Sequence, residues 1–364
     1  MADEAAKAAA AATPGADELS RLVQGFSGKA VLVVGDVIAD HYLWGEATRI
    51  SREAPVLILE YAGERITPGG AANAAANVRS LGGRALVVAA VGDDSAGQAL
   101  RRELQQQQMD TQGLVAARGR RTCLKTRILG GGRQAVKQQL VRIDRSVREP
   151  WPEATAQALC DAVRRLLPQC DAVLVSDYGQ GVVTPALWQE ILQGARQRGI
   201  PVAVDSRYQL AAFQGATVVT PNQVEAEEAL GRRLGDVEAV AGAAWDLRRR
   251  LASEAVIITR GEEGMVLVAD RQAWRLPAYQ PAAVYDVTGA GDTVIAALCL
   301  GRAAGAAWLH CALLANLAAG LSVRRSGATA VTAGEVAAAL AGGAPLAAEV
   351  LPVPDGGCGA VQAG

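Results

Sequence analysis

Lys29–Asp36 reads KAVLVVGD. Five apolar residues in a row, three of them β-branched, run into a glycine and an aspartate. A run this short without polar alternation predicts a strand buried on both faces, as in parallel sheets. The same pattern recurs as RALVVAAVGDD (84–94), CDAVLVSDYG (170–179), IPVAVDS (200–206), ATVVTPN (216–222) and EAVIITRG (254–261). Between these runs the apolar spacing is helical, over 71–81, 96–107, 153–167, 185–197 and 237–251. Strand and helix in alternation predict an α/β fold: three α/β/α layers around a mostly parallel sheet. MVLVADRQAWRLPA (265–278) reads instead as an antiparallel hairpin.

Nearly every predicted strand ends in a glycine or polar signature: Gly35-Asp36, Gly92-Asp93, Ser176-Asp177, Asp205, Asn222 and Arg260-Gly261. Each alone makes a turn. Together they line the carboxyl edge of the sheet, where open parallel sheets bind ligands. Two stretches break the alternation, 53–70 and 121–144. They predict a small inserted β-flap over about 40–66 and 118–145. Lys125 and Arg127, two apart, share a face of one flap strand, and Arg142 lies on the return strand with Leu140 and Asp144. Arg49 precedes the first segment. Such cations either clamp an anionic group or form an ordinary solvated surface.

The bulk numbers narrow the classes. The chain has 364 residues, 50% hydrophobic and 20% charged, with a formal net charge of -1. No basic excess points to nucleic acid. Six cysteines include no CxxC pair, so buried thiols are expected rather than a zinc or redox site. Two histidines, His41 and His310, are too few for a multi-histidine metal site. The N-terminus lacks a signal-peptide pattern, and no apolar run reaches the roughly 18 residues of a membrane span. A cytoplasmic protein is expected. Its predicted parts are a flexible extension over 1–20, one domain over 21–340 and a low-complexity tail over 341–364.

Three motifs carry chemistry. In VYDVTGAGDTVIAAL (284–298), a glycine turn precedes Asp292 at the start of a helix. Backbone N–H groups and the helix dipole make an anion cradle there. A carboxylate beside such a cradle suits phosphoryl transfer to a hydroxyl; the plain alternative is an N-cap. PGGAANAAANVRSLGG (68–83) places two glycines before a helix of small residues that carries Asn73. In TPNQVEAEEAL (220–230), Asn222 and Glu225 stand one turn apart. They fit either magnesium-bound water near phosphates or a capping box. No G-x-G-x-x-G follows the first strand, which argues against a dinucleotide-binding dehydrogenase.

These three motifs, in this order over about 30–340, resemble those of the ribokinase-like carbohydrate kinases. Within them the chain is most similar to the kinase domain of bacterial D-glycero-β-D-manno-heptose 7-phosphate kinases. That likeness rests on VVGDVIADHYLWGEATRISREAP, RITPGGAANAAANVRSLG, LVSDYGQGVV, VVTPNQVEAE, CLKTRIL and QQLVRID. The resemblance implies an ATP-dependent sugar kinase with Asp292 as catalytic base and Gly289, Ala290 and Gly291 as the anion hole. Asp36, Gly69, Gly70 and Asn73 would hold sugar hydroxyls. Asn222 and Glu225 would serve the ATP phosphates and Mg2+. Thr259, Arg260 and Gly261 would lie beside the nucleotide and Asn316 near adenine. Asp286 is implied as part of a monovalent cation site, for K+. A sugar phosphate would need Lys125, Arg127, Arg142 and Arg49 as its clamp, and the resemblance implies that the flap acts as a lid and builds a homodimer interface. Asp205-Ser206-Arg207 departs from the Asp-Pro-Lys of the heptose kinases, so the contact of Arg207 with ATP is altered. A fused nucleotidyltransferase, common among those enzymes, is not expected, and the alanine-rich start has no counterpart.

Overall fold

The computed structural model describes residues 14–131, 137–147, 149–280, 286–325 and 330–352. The apolar run from Ala30 is strand β1 (Ala30–Gly35), every residue of it buried. Its side chains alternate between two cores, Val31 and Val33 on one face and Ala30, Leu32 and Val34 on the other. That is why the run has no polar positions.

Twelve further strands follow in chain order, and a last one closes the series. They are β2 (Val37–Ile50), β3 (Leu57–Gly70), β4 (Arg84–Gly92), β5 (Asp110–Ala117), β6 (Leu124–Gly131), β7 (Gln138–Arg145), β8 (Ala172–Asp177), β9 (Val202–Ser206), β10 (Val218–Val219), β11 (Ala255–Thr259), β12 (Met265–Ala269), β13 (Gln272–Leu276) and β14 (Glu349–Leu351). Nine of these join β1 in the main sheet, in the order β14-β13-β12-β11-β10-β9-β8-β1-β4-β5. It is parallel from β11 to β5. The predicted hairpin β12–β13 is antiparallel, as is β14 at the edge. From β1 the chain moves outward one way to β4 and β5, and the other way from β8 to β11. The order therefore reverses between β1 and β8, and a crevice opens beyond their carboxyl ends.

Helices cover both faces. One face carries α1 (Ala16–Gln24), α2 (Ala71–Ser80), α3 (Ser95–Gln106), and later in the chain α8 (Ala290–Ala303), α9 (Trp308–Ser322) and α10 (Ala333–Ala341). The other carries α4 (Glu153–Leu166), α5 (Pro185–Arg198) and α7 (Val237–Leu251), with α6 (Gln223–Leu230) preceding α7. The lid is a separate sheet, β3-β2-β6-β7. It spans 37–70 and 124–145, longer at its first segment than expected, because β2 leaves the main sheet only one residue after β1.

Two boundaries need correction. The extension expected to be flexible through residue 20 ends in α1, which anchors Leu19 and Val23 in the core. The tail expected from 341 returns as β14, pairing Glu349–Leu351 with β13. Cys123, Cys160, Cys170, Cys299 and Cys311 are buried and free, and burial raises each thiol above its ordinary value. Cys358 lies outside the described residues. No described helix is long and apolar enough to cross a membrane.

Candidate active site

The site forms where the β1–β8 crevice meets the start of α8 and the inner face of the lid. Helix α8 is buried from Asp292 through Gly301. A helix with so little polar surface belongs in a core. The Gly289 turn, with φ of 83°, ends that burial at the crevice. Thr293 donates to Asn77 Oδ1 at 2.8 Å, and Asn77 donates to the Asn73 carbonyl at 2.9 Å. This chain sets the register of α2 against α8 and brings Asn73 opposite Asp292.

Asp292 is 4% exposed. Asn73 Nδ2 donates to its Oδ2 at 2.6 Å, and the Tyr178 hydroxyl donates to its Oδ1 at 3.3 Å. Burial pushes the carboxyl up to about 6, and the charge of Asp40 adds to the rise. The two hydrogen bonds and the Lys125 ammonium hold it back. A carboxyl poised there is ionised at neutral pH yet basic enough to take a proton.

At the start of α8, the Ala290 N–H donates to Val287 O at 3.3 Å and that of Thr293 to Gly289 O at 3.1 Å. The N–H groups of Gly289, Gly291 and Asp292 have no partner among the described residues. Of the expected anion hole of Gly289, Ala290 and Gly291, the Ala290 N–H is thus engaged, and the Asp292 N–H stands open beside the other two among the described residues.

Asp36 does not reach the crevice. It is 1% exposed, and its carboxylate accepts from the backbone N–H groups of Tyr178, Gln180 and Val182 at 2.8, 2.9 and 3.1 Å. It organises the loop after β8 rather than a sugar. Asp40, four residues on, acts on Asp292 through its charge and is 6% exposed. A Cβ on Gly69 would come within 2.3 Å of Asp40 Oδ2, and one on Gly70 within 2.4 Å of Asp36 O. Both glycines therefore let two aspartates pack against their backbone.

The four expected clamp cations separate. Arg127 is 12% exposed and paired with Asp40 at 2.5 Å, its guanidinium over the Tyr42 ring. Arg142 is engaged by Asp144 through two hydrogen bonds. Arg49 is exposed at the far end of β2, roughly 30 Å of strand from Asp40 at ~3.3 Å per residue. Of the four, Lys125 acts on Asp292 through its charge, its ammonium 5.4 Å from the Tyr178 ring centroid.

On the other side of α8 two cavities share Thr259, Gly261 and Val287. An apolar one of about 370 Å³ includes Met265, Tyr279, Ala290, Gly291 and Asn316. Asn316 is turned inward, donating to Pro277 O at 2.6 Å. An open one of about 850 Å³ includes Arg207, Asn222, Glu225 and Arg260. Asn222 and Glu225 form the capping box of α6, each accepting from the other's backbone N–H at 2.9 Å, and both still line the cavity. The Arg260 side chain is 5% exposed and bound to Gln223 and Glu263, so it braces its loop. Arg207 is exposed over Tyr208. Ser206, where proline was the pattern, donates to Asp177 at 2.7 Å. Burial, then the charges of Glu225, Asp292 and Asp177, raise Asp205 well above the usual carboxylate range. Asp286 accepts from the Thr288 N–H at 2.9 Å, and the flanking 281–285 lie outside the described residues.

Residues 29–333 match the family model described as pfkB family carbohydrate kinase. The chain belongs to the pfkB family of carbohydrate kinases. It is an ATP-dependent carbohydrate kinase. Similar proteins include the "Bifunctional protein HldE" of Desulfatibacillum aliphaticivorans, 39% identical over 317 residues, and that of Citrifermentans bemidjiense, 41% identical over 315. Each alignment covers 86% of this chain, but the chain spans only 64% and 63% of those relatives. Escherichia coli phosphofructokinase-2, in complex with potassium, superposes with a TM-score of 0.67 over 86% of this kinase and 99% of that chain. Arabidopsis thaliana ribokinase, with ribose and ATP, gives 0.66 over the same shares. At 18% identity both speak to the fold, which is ribokinase-like.

Proposed function

We propose that this kinase transfers the γ-phosphoryl group of ATP to the anomeric hydroxyl of D-glycero-D-manno-heptose 7-phosphate, giving the 1,7-bisphosphate. The observation that carries the reading is Asp292: a buried carboxylate held by Asn73 and Tyr178, beside N–H groups at a helix start that have no partner among the described residues. Asp292 takes the proton of the attacking hydroxyl. The N–H groups of Gly289, Gly291 and Asp292 stabilise charge on the phosphoryl group in flight; one such donor is typically worth about 10²–10³ in rate. Adenine occupies the apolar cavity beside Asn316, and the phosphates run past Gly261 toward Gly291. Asp40, fixed by Arg127, accepts from sugar hydroxyls.

The hard oxygen donors Asp205 and Glu225 crowd one another, and a divalent cation would relieve their repulsion. They fit Mg2+ carried by ATP and held through water. Among the described residues no group of three metal-ligating side chains forms a closed cage, which suits an ion that arrives with its nucleotide. It would neutralise phosphate charge. K+ at Asp286 remains part of the proposal by resemblance.

Lys125 is the residue assigned to the sugar's distal phosphate. The pairing of Arg127 with Asp40 and of Arg142 with Asp144 favours a second reading, in which the acceptor is an unphosphorylated sugar or nucleoside. A third, a sugar or nucleotide sensor without turnover, would show ligand-induced thermal shifts and no ADP. An ADP-release panel with Mg-ATP separates the three: heptose 7-phosphate should exceed free heptose by at least tenfold in kcat/KM, and Lys125→Ala should raise KM for the sugar phosphate far more than for ATP. Equal rates on both sugars would favour the second reading.

The kinase works in the cytoplasm and as a homodimer through its lids. Ile50, Val56, Leu57, Tyr61, Leu140, Val141 and Ile143 are all exposed on or beside the lid strands. Such apolar area calls for a partner. Ile143→Asp should convert dimer to monomer in light scattering.

A further inference from the structure

We propose that Tyr178 is a positioning residue for the base, fixing one oxygen of Asp292 and linking it, through Lys125, to the lid. This rests on the reading of Asp292 as base. Asn73 anchors Oδ2 and Tyr178 anchors Oδ1. With both oxygens tied, the carboxylate has one orientation; with one donor it can swing about its side-chain bonds. The Tyr178 bond is long at 3.3 Å, as catalytic hydrogen bonds often are before substrate closes the site.

Three features hold Tyr178 there. Its backbone N–H is the first of three that converge on the buried Asp36 carboxylate. That explains a buried charge for which the chemistry has no other use. The loop leaves β8 at the point where the sheet order reverses. Then Lys125 places its ammonium over the Tyr178 ring. Cation over ring is an attraction of ~0.5–2 kcal/mol in general. Lys125 belongs to β6 of the lid, so a lid displacement changes the phenol's surroundings and, through it, the base.

The charged and titratable groups around Asp292 are Asp40 from β2, Lys125 from β6, Tyr178 after β8 and Asp205 from β9. The Asp292 charge is the main reason the Tyr178 phenol is pushed well above its ordinary value, so the phenol stays a donor. A donor favours the ionised carboxylate, so losing it raises the pKa of the base and moves the acidic limb of activity to higher pH.

The test is the pH profile of kcat/KM for wild type and Tyr178→Phe with the same sugar and Mg-ATP. Substrate ionisations are identical in the two, so a difference in the limb belongs to the enzyme. The limb should move up by about one pH unit, the scale of a hydrogen bond to a charged group. With the wild-type carboxyl at about 6, activity at pH 6 should fall about fivefold more than at pH 8.5, with KM for ATP within about twofold. A purely structural role would lower activity equally at every pH. Tyr178→Leu, a second variant without the hydroxyl, should move the limb the same way and decides the matter if Tyr178→Phe does not fold; Lys125→Met also moves it, because the ammonium acts on Asp292 directly. Limbs that overlay the wild type in the folded Tyr178 variants overturn the proposal. If Asp292→Asn keeps its turnover, the reading of the base itself falls; if it loses turnover while the limbs overlay, only the role of Tyr178 does.

Discussion

Replacing Arg127 with methionine removes one partner of an ion pair that is almost sealed from solvent. The two side chains are 12% and 8% exposed. Stripping one member from a buried pair costs about 3–5 kcal/mol, because the other charge stays behind unpaired. This pair sits at the rim of a crevice, so the lower end, about 3 kcal/mol, is expected. Methionine keeps part of the packing over Tyr42 but loses the cation–ring attraction, ~0.5–1 kcal/mol. Asp40 would remain against Gly69 with its charge uncompensated. Asp40→Asn in the same background removes that charge. The assay is a double-mutant cycle by urea denaturation at pH 7.5. The double variant should recover about 2 kcal/mol relative to the sum of the single losses. Losses that add within about 0.5 kcal/mol would mean the two groups do not interact, and the assignment of Asp40 as an oriented sugar ligand would lose its support.

Other outcomes follow from the same geometry. Gly69→Ala puts a Cβ within 2.3 Å of Asp40 Oδ2; it should cost about 1–3 kcal/mol and raise KM for the sugar while leaving that for ATP, read from steady-state kinetics. Asn222→Ala breaks the α6 capping box, costing about 1 kcal/mol, and should raise KM for ATP alone. Asp292, raised from 3.8 to about 6 by burial, contributes stability fully below pH 3.8 and loses it as pH rises through about 6. The loss is at most ~3 kcal/mol, two pKa units and a fraction. Asp292→Asn should therefore melt higher than wild type at pH 8, and the advantage should shrink toward pH 5 in thermal scans.

The parallel strands were legible because burial on both faces leaves an uninterrupted apolar run, as in Ala30–Val34. Strand β5 was missed: Gln112 and Gly113 break its run, and it lies at the sheet edge. Helix α9 was missed because it is buried nearly all round, so its sequence has no polar stripe. The tail strand β14 has three residues and depends on β13 to exist. In the site, the motif residues Asp292, Asn73, Asn222 and Glu225 were legible because local backbone geometry demands them. Partnerships across the chain were not. The register that sets Asp40 beside Lys125, and Tyr42 beside Arg127, joins strands some 85 positions apart. Asp36 was given to the sugar because nothing local reveals the three N–H groups that arrive from 178–182. Tyr178 stood in a quoted motif, and its position at the end of the strand beside β1 was the signal available.

The most direct test is the turnover of Asp292→Asn with Mg-ATP and heptose 7-phosphate, measured beside both KM values. A general base contributes about 10²–10⁴-fold, so kcat should fall by that much while sugar and ATP still bind within a few-fold of wild type. A folded Asp292→Asn enzyme that keeps more than about a tenth of wild-type kcat would contradict the account.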